Sequence, residues 1–425
     1  MIFAVIAFAV FLFMGVPVSF SLGSSSLIYL LVEGKPIGLV AQRMFTGIDS
    51  FPFMAIPFFV LAGELMNRAG ISKRLIDLAD VFVGRLRGGL GHVNILTSMF
   101  FAGITGSAVA DTSSEGPIII PAMVAAGYDA DYAAAITCAS SVIGPIIPPS
   151  IPFVTYSLVS ATSVAALFMS GLIPGILLGI SQMIANAIIS KKRNYPRSER
   201  WPSPKEVARA IGRGIIPLFM PLIILGGIIG GIFTPTEAAA VAVLYALLIS
   251  LLVFKTIGWK DIRGALIETA KTTGVVFLLI GCSNVFNWAL VVEQIPQSIA
   301  LFIGKAITNK YLLLLLINIF LLIVGCFMEG TAAIIILSPL LLQITKPFGI
   351  SPIMLGTILV LNLMIGLITP PVGLCLFIAC NIAKRPIEAV SKALAPFLIA
   401  SIIALLLVTY FEPLSMWLPR LLGYA

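Results

Sequence analysis

Three carboxylates sit where a carboxylate is costly. Asp111 and Glu115 lie in FFAGITGSAVADTSSEGPIIIP, residues 100–121, and Glu329 in LLIVGCFMEGTAAIIILSP, residues 321–339. Ionisable groups inside such apolar runs usually serve function. Near them in sequence or in matching stretches stand Ser107, Thr112, Ser113, Ser140, Thr331, Asn362 and Thr369. Hydroxyl, amide and unwound carbonyl oxygens are what a hard cation prefers, so this donor set points to binding of a cation and a polar solute. A plainer reading competes with it: Asp111, Thr112 or Ser113 caps a returning helix by accepting from its free amides. Hydrolysis by Asp111 and Glu329 as a carboxylate pair is a third possibility. It lacks support, because His92 is the only histidine and the five cysteines form no Cys-x-x-Cys pair. No G-x-x-x-x-G-K-[ST] loop occurs, so ATP hydrolysis by that device is excluded.

The placement of cations narrows the solute. No Lys or Arg occurs between Arg87 and Lys191, between Lys310 and Lys346, or between Lys346 and Lys384. An anion held in those segments must therefore rest on helix N-termini, on hydroxyls such as Ser107 and Ser150, or on bound cations. Glu329 is then free to accept hydrogen bonds from substrate hydroxyl or amide groups, which suits a polyhydroxylated acid.

The elements that must position these residues follow from composition. Of 425 residues, 59% are hydrophobic and 10% charged, against roughly 25% charged in soluble proteins. Apolar runs at 2–31, 214–232, 236–254 and 393–411 are long enough to span a bilayer, so the chain reads as an all-α polytopic membrane protein. The first run is too long for a removed signal peptide. The net charge of +8 gathers largely in one segment, Lys191 to Arg213, which marks a cytoplasmic loop and not a nucleic-acid surface.

Proline breaks the helical pattern twice, in GPIIPPSIPF (144–153) and GLITPPVG (366–373), with Gly144 and Gly366 each four residues before a Pro-Pro pair. Each break costs about 3 kcal/mol or more in a helix interior. Superposing Pro121 on Pro339 places Asp111 over Glu329 at an offset of 218, whereas Pro148 on Pro370 gives 222. The arms around each acidic stretch are short for full spans, which predicts two re-entrant hairpins and two broken helices. Irregular backbone at membrane depth must line a cavity or be buried in protein, so both tips and both breaks should share one polar site.

Counting spans from the basic loop puts the GYDADY segment, the residues from Arg68 to Arg87, and Lys384, Arg385 and Lys392 on the cytoplasmic side. The two halves then come out inverted. The expected organisation is an N-terminal span and interfacial arm (1–50), repeat 1 (51–190), the basic loop (191–213), central spans (214–264), repeat 2 (265–411) and a tail (412–425). In GIFTPTEAAA, Thr234, Pro235 and Glu237 form a capping box that starts a helix. GGIIGG before it reads as close helix packing.

FPFMAIPFFVLAGELM, FFAGITGSAVADTSSEGPIIIPAM, GPIIPPSIPF, GIFTPTEAAA and GLITPPVG together resemble the large membrane subunit of tripartite ATP-independent periplasmic (TRAP) transporters, along nearly the whole chain. The sequence is most similar to the sialic acid branch, with the C4-dicarboxylate branch beside it. The resemblance implies a sodium-driven importer of organic anions in a bacterial inner membrane. It implies an elevator mechanism, in which a mobile domain carries the hairpins and broken helices past a scaffold of the remaining spans. It further implies a soluble periplasmic binding protein and a small four-helix membrane subunit, expected here as a separate polypeptide. Sodium sites are implied where each hairpin tip meets a break. One comprises Gly103, Gly106, Ser107, Asp111 and Thr112 with Ser140, Gly144 and Pro145; the other Gly325, Gly330 and Thr331 with Asn362, Gly366 and Thr369. The substrate would lie between the tips, near Ser107, Ser150 and Glu329. The main rival is a passive channel, since re-entrant loops also build selectivity filters.

Overall fold

The computed structural model describes residues 2–49, 51–196, 203–370 and 373–424. Arg197 and Arg200 of the basic segment and Pro371 of the second proline pair lie outside them. The first apolar run is not one span. It folds as α1 (Ile2–Phe13) and α2 (Val18–Val32), parted where Gly15 takes φ +79° and Pro17, with no amide proton, precedes the second helix. An amphipathic α3 (Gly38–Ile48) follows, then α4 (Ala55–Arg68) and α5 (Ile71–Val83).

Two helical hairpins and two interrupted helices come next. Hairpin 1 is α6 (Gly89–Thr105) with α7 (Ala108–Ala125), followed by α8 (Ala130–Ser141), a break, and α9 (Ile151–Ser160). After α10 (Val164–Lys192) come α11 (Pro204–Ile229), α12 (Pro235–Leu248), α13 (Trp259–Val292) and α14 (Ile295–Ala306). Hairpin 2 is α15 (Lys310–Phe327) with α16 (Gly330–Thr345), followed by α17 (Pro352–Gly366), a break, and α18 (Leu374–Ala383). The chain closes with α19 (Ile387–Tyr410) and α20 (Pro413–Leu421). Among the described residues, seven helices are long and apolar enough to cross a membrane. The expected capping box opens α12: Thr234 N–H donates to the Glu237 carboxylate at 2.8 Å, and Glu237 N–H to the Thr234 hydroxyl at 3.3 Å.

The helix bounds correct the internal register. Under a shift of 222 the helix bounds from α6 to α10 nearly coincide with those from α15 to α19, bringing Gly103 to Gly325, Ser107 to Glu329, Pro117 to Pro339, Ser140 to Asn362, Gly144 to Gly366 and Pro148 to Pro370. The offset of 218 that matched Asp111 to Glu329 is a slip of four residues, about one helical turn. Packing is reciprocal under the same shift. Helix α9 lies against α16 and α18 against α7, while α8 packs on α19 and α17 on α10. Each hairpin's returning arm thus rests on the broken helix of the other half.

Segments assigned to one membrane side by their charge do meet. Arg193 pairs with Asp129 at 2.8 Å, and Arg87 donates to the Asn194 side chain at 2.6 Å. Arg385 takes Asp131 in a two-pronged grip at 2.5 and 3.0 Å, joining the first half to the second. The Arg385 guanidinium holds the Asp131 carboxyl below its ordinary value near 3.8. Its contribution to stability is therefore present above that value and is lost as pH falls through the lowered one. Asp131→Asn is expected to lower the melting temperature by a few degrees at most at pH 7, the pair being partly solvated. The gap from wild type should close as the pH is lowered.

Candidate substrate and ion site

At the first hairpin tip, Gly106 ends α6 in the left-handed region at φ +59°. A Cβ there would stand 2.8 Å from the Pro149 carbonyl oxygen, so the tip fits against the first break only as glycine. Ser107 is the N-cap of α7, its hydroxyl accepting from Ala110 N–H at 3.4 Å. Neither Asp111, Thr112 nor Ser113 is the cap, contrary to the plainer sequence reading. Asp111 sits in the first turn, fully buried, where a negative charge complements the helix dipole. It accepts a hydrogen bond from the Thr105 hydroxyl, and Thr112 donates to the Ala108 carbonyl at 2.9 Å.

The second tip uses a charged cap. Glu329 is the N-cap of α16, accepting from Ala332 N–H at 3.0 Å and from the Thr331 hydroxyl at 2.9 Å. Asp111 and Glu329 are thus not counterparts; Glu329 stands in the place of Ser107.

The breaks are built differently from the tips. Ser150 caps α9, accepting from Phe153 N–H at 3.2 Å and donating to the Pro145 carbonyl. Thr369 donates to the Ile365 carbonyl at 2.7 Å. Gly366 lies so close to hairpin 2 that a Cβ on it would be 2.5 Å from the Gly325 backbone, while one on Gly144 would be 2.1 Å from Asp111 Oδ2. Gly103 faces another way, toward Pro221 of α11, and Gly330 faces Met364.

One cavity of about 610 Å³ gathers all four irregular points. Gly106 and Ser107 reach it from the first tip, Glu329 and Thr331 from the second, Pro145 and Leu367 from the breaks. Its opposite wall is α2, α4 and α13, which adds Lys271 and Thr272 to a largely apolar lining. Of the three substrate candidates, Ser107 and Glu329 line the cavity; Ser150 is fully buried and its hydroxyl is committed to the break. Lys271 escaped the sequence reading because cations were sought only inside the hairpins and broken helices. The charged pair Glu268 and Lys271, just before a long apolar run, was the available signal. It pairs with Glu268 at 2.8 Å on its own helix and remains largely exposed.

Behind the tips, three buried side-chain oxygens have no hydrogen-bond partner among the described residues: Asp111 Oδ2, against Gly144, Glu115 Oε1, one turn on, and Asn362 Oδ1, four residues before Gly366. Asn362 spends its amide on Asn318 Oδ1 at 2.7 Å and on the Ile358 carbonyl at 2.8 Å, leaving its oxygen free. Ser140 is otherwise engaged, donating to Asn94 Oδ1 at 3.0 Å and accepting from Ser98 at 2.9 Å. The Ser98 hydroxyl also lies 2.9 Å from Glu115 Oε2, and its single proton serves one of the two contacts at a time. Buried oxygens without donors are costly unless a cation or proton completes them. Oxygen donors of this kind suit a hard ion.

Known proteins share this sequence and fold. The sialic acid TRAP transporter large permease protein SiaM of Vibrio cholerae is 42% identical over 97% of this chain and 97% of its own. The C4-dicarboxylate TRAP transporter large permease protein DctM of Pseudomonas aeruginosa is 39% identical over 95% of this chain and 94% of its own. Among solved structures, the YdaH transporter of Alcanivorax borkumensis superposes with a TM-score of 0.63 over 88% of each chain at 14% identity, a likeness of fold alone. The family profile described as "Tripartite ATP-independent periplasmic transporter, DctM component" matches residues 5–414, and with relatives this similar end to end the chain belongs to that family.

Proposed function

We propose that this chain is the large membrane subunit of a sodium-driven secondary transporter. It would import an organic anion, a sialic acid or a C4-dicarboxylate, handed over by a periplasmic binding protein and carried with a small partner subunit in a bacterial inner membrane. The observation that carries the proposal is the cavity in which both hairpin tips meet both breaks, with Glu329 and Lys271 on opposing elements. Lys271 and the α16 N-terminus offer positive potential to a carboxylate, while Ser107 and Thr331 offer hydroxyls to the rest of the solute. Sodium would sit behind each tip, at Asp111 Oδ2 and at Asn362 Oδ1. Each ion neutralises buried oxygen dipoles and fixes its tip, so tip geometry and substrate affinity rise together with sodium.

The two halves are read as inverted repeats, because reciprocal contacts under one constant shift are what a two-fold relation produces. An elevator motion follows from where the cavity lies, between the hairpin-bearing helices and the wall of α2, α4 and α13. Two sodium ions entering across about 100 mV, each down a tenfold gradient, release roughly 7 kcal/mol. Importing a monoanion consumes about 2.3 of that, leaving enough for accumulation by about three orders of magnitude without ATP.

Uptake by vesicles containing both membrane subunits, supplied with a panel of loaded binding proteins, tests the proposal. Saturable uptake that requires an inward sodium gradient is expected. Glu329→Gln and Lys271→Met should each reduce it by about tenfold or more while the complex still assembles. Downhill, unsaturated flux indifferent to sodium would make the protein a passive channel.

A further inference from the structure

Two polar clefts away from the transport cavity share a wall. One, of about 330 Å³, lies between α5 and α11 and is lined by Arg74, Asp77, Asp80, Arg85, Arg209 and Arg213 among others. The second, of about 720 Å³, is continuous with it through Arg74, Asp77 and Arg213 and extends to Arg68, Lys73 and Phe254. Six cations, Arg68, Lys73, Arg74, Arg85, Arg209 and Arg213, and three carboxylates, Asp77, Asp80 and Glu206, line them, and Arg68 is balanced by Glu64 at 3.5 Å on its own helix. Asp77 lines both clefts beside Arg74 and attracts it. Glu206 is engaged in the capping box of α11, accepting from Ser203 N–H at 2.7 Å. Burial, and then the charge of Asp77, push the Asp80 carboxyl up.

The arginines are arranged to hold an anion. Arg74 is pinned by hydrogen bonds to the Ala69 and Gly70 carbonyls at 2.7 and 2.9 Å, with its guanidinium 3.8 Å from the centre of the Phe254 ring. Burial, and then the Arg213 charge, lower the Arg74 pKa while Asp77 raises it; Arg74 is partly buried and Arg213 exposed along the same cleft wall. Like charges so placed repel unless an anion lies between them, and planar guanidinium groups match phosphate.

The surroundings decide between a soluble anion and an amphiphile. Directly beside the cleft, Val253 is 52% exposed and Leu252 65%, and one turn or less along α11 from Arg213, Ile215 is 43% exposed. Farther along the same helix, Phe219 and Leu222 are exposed as well. Charged groups give way to exposed apolar ones within one turn, as they do at a membrane–water boundary. Basic pockets between helices at that level suit lipid headgroups. We propose that the cleft between α5, α11 and the 249–256 turn binds the phosphate of an anionic phospholipid, its acyl chains lying along Leu252, Val253 and Ile215. Such a lipid would brace the existing contact of α5 with α11, both of which pack against α6 of hairpin 1. This proposal is independent of the transport reading.

The test uses the intact protein purified in a neutral detergent. Phosphatidylglycerol, phosphatidylcholine and inorganic phosphate are each added, and bound lipid is counted by native mass spectrometry alongside the melting temperature. Phosphatidylglycerol is expected to be retained and to raise the melting temperature, with phosphatidylcholine doing neither. Arg209→Gln and Arg213→Gln, which alter side chains with no hydrogen bond or ion pair drawn to them among the described residues, should each weaken retention about fivefold. Equal retention of the two lipids, unchanged retention in both variants, or inorganic phosphate alone giving the whole thermal shift would each overturn the proposal. Should a variant fail to fold, the comparison of the three additives on the wild-type protein still decides.

Discussion

Gly366→Ala is expected to abolish most uptake and to raise the sodium concentration for half-maximal uptake by about tenfold or more. The added methyl would lie 2.5 Å from both the carbonyl carbon and the Cα of Gly325. Those are backbone atoms, so no rotamer change relieves the clash; α15 must move off α17. Overpacking of this kind costs about 1–3 kcal/mol or more. The displacement falls where it matters most, because Gly325 is in the last turn before the Glu329 tip and Asn362 is one turn before Gly366. Asn362 is in turn tied to Asn318 on α15 at 2.7 Å, so the same shift stretches the bond that orients its free oxygen. Gly325→Ala should be milder, since its Cβ would meet the Gly366 Cα at 3.0 Å. Gly274→Ala on α13, with nothing within 4 Å, serves as the control and should behave as wild type. Sodium titrations of uptake in vesicles measure all three. A Gly366→Ala protein with normal sodium dependence would remove the contact of hairpin 2 and α17 from any part in ion binding.

Helix-breaking residues made most of the architecture legible in the sequence. Proline within apolar runs has few physical explanations, and both breaks lie where Gly144, Pro148, Gly366 and Pro370 placed them. The tips were located correctly but misregistered. Superposing Pro121 on Pro339 put Asp111 over Glu329, so the two acids looked like counterparts. The shared feature is the capping position, which Ser107 fills with a hydroxyl and Glu329 with a carboxylate. A slip of one turn keeps the same helix face, so the wrong register still gave a plausible pattern. The first apolar run was misread as continuous because hydropathy carries no information about the left-handed turn at Gly15. Lys271 was missed for a different reason: its charge at the edge of an apolar run was visible, but its place opposite the tips depends on how α13 packs.

Asp111→Asn separates an ion ligand from a structural acid. The carboxylate is fully buried, one oxygen receives the Thr105 hydroxyl, and the other has no donor. Glu115, one turn on, is buried too, with Oε1 likewise without a donor. Two such groups in a segment free of Lys and Arg from Arg87 to Lys191 leave the charge to be balanced by something that comes and goes. Asparagine keeps the shape and can still accept from Thr105, but it carries no charge. If Asp111 holds sodium, the variant should be as stable as wild type or more so in sodium-free buffer, because an unbalanced buried charge has been removed. Its gain in melting temperature on adding sodium should shrink, and half-maximal uptake should need about tenfold more sodium, a loss near 1.4 kcal/mol of ion binding. A purely structural acid gives the opposite pattern, with lower stability in every buffer and an unchanged response to sodium. Melting curves with sodium and with an equal concentration of choline, set beside uptake titrations, tell the two apart. An unaltered sodium response would take Asp111 out of the ion site.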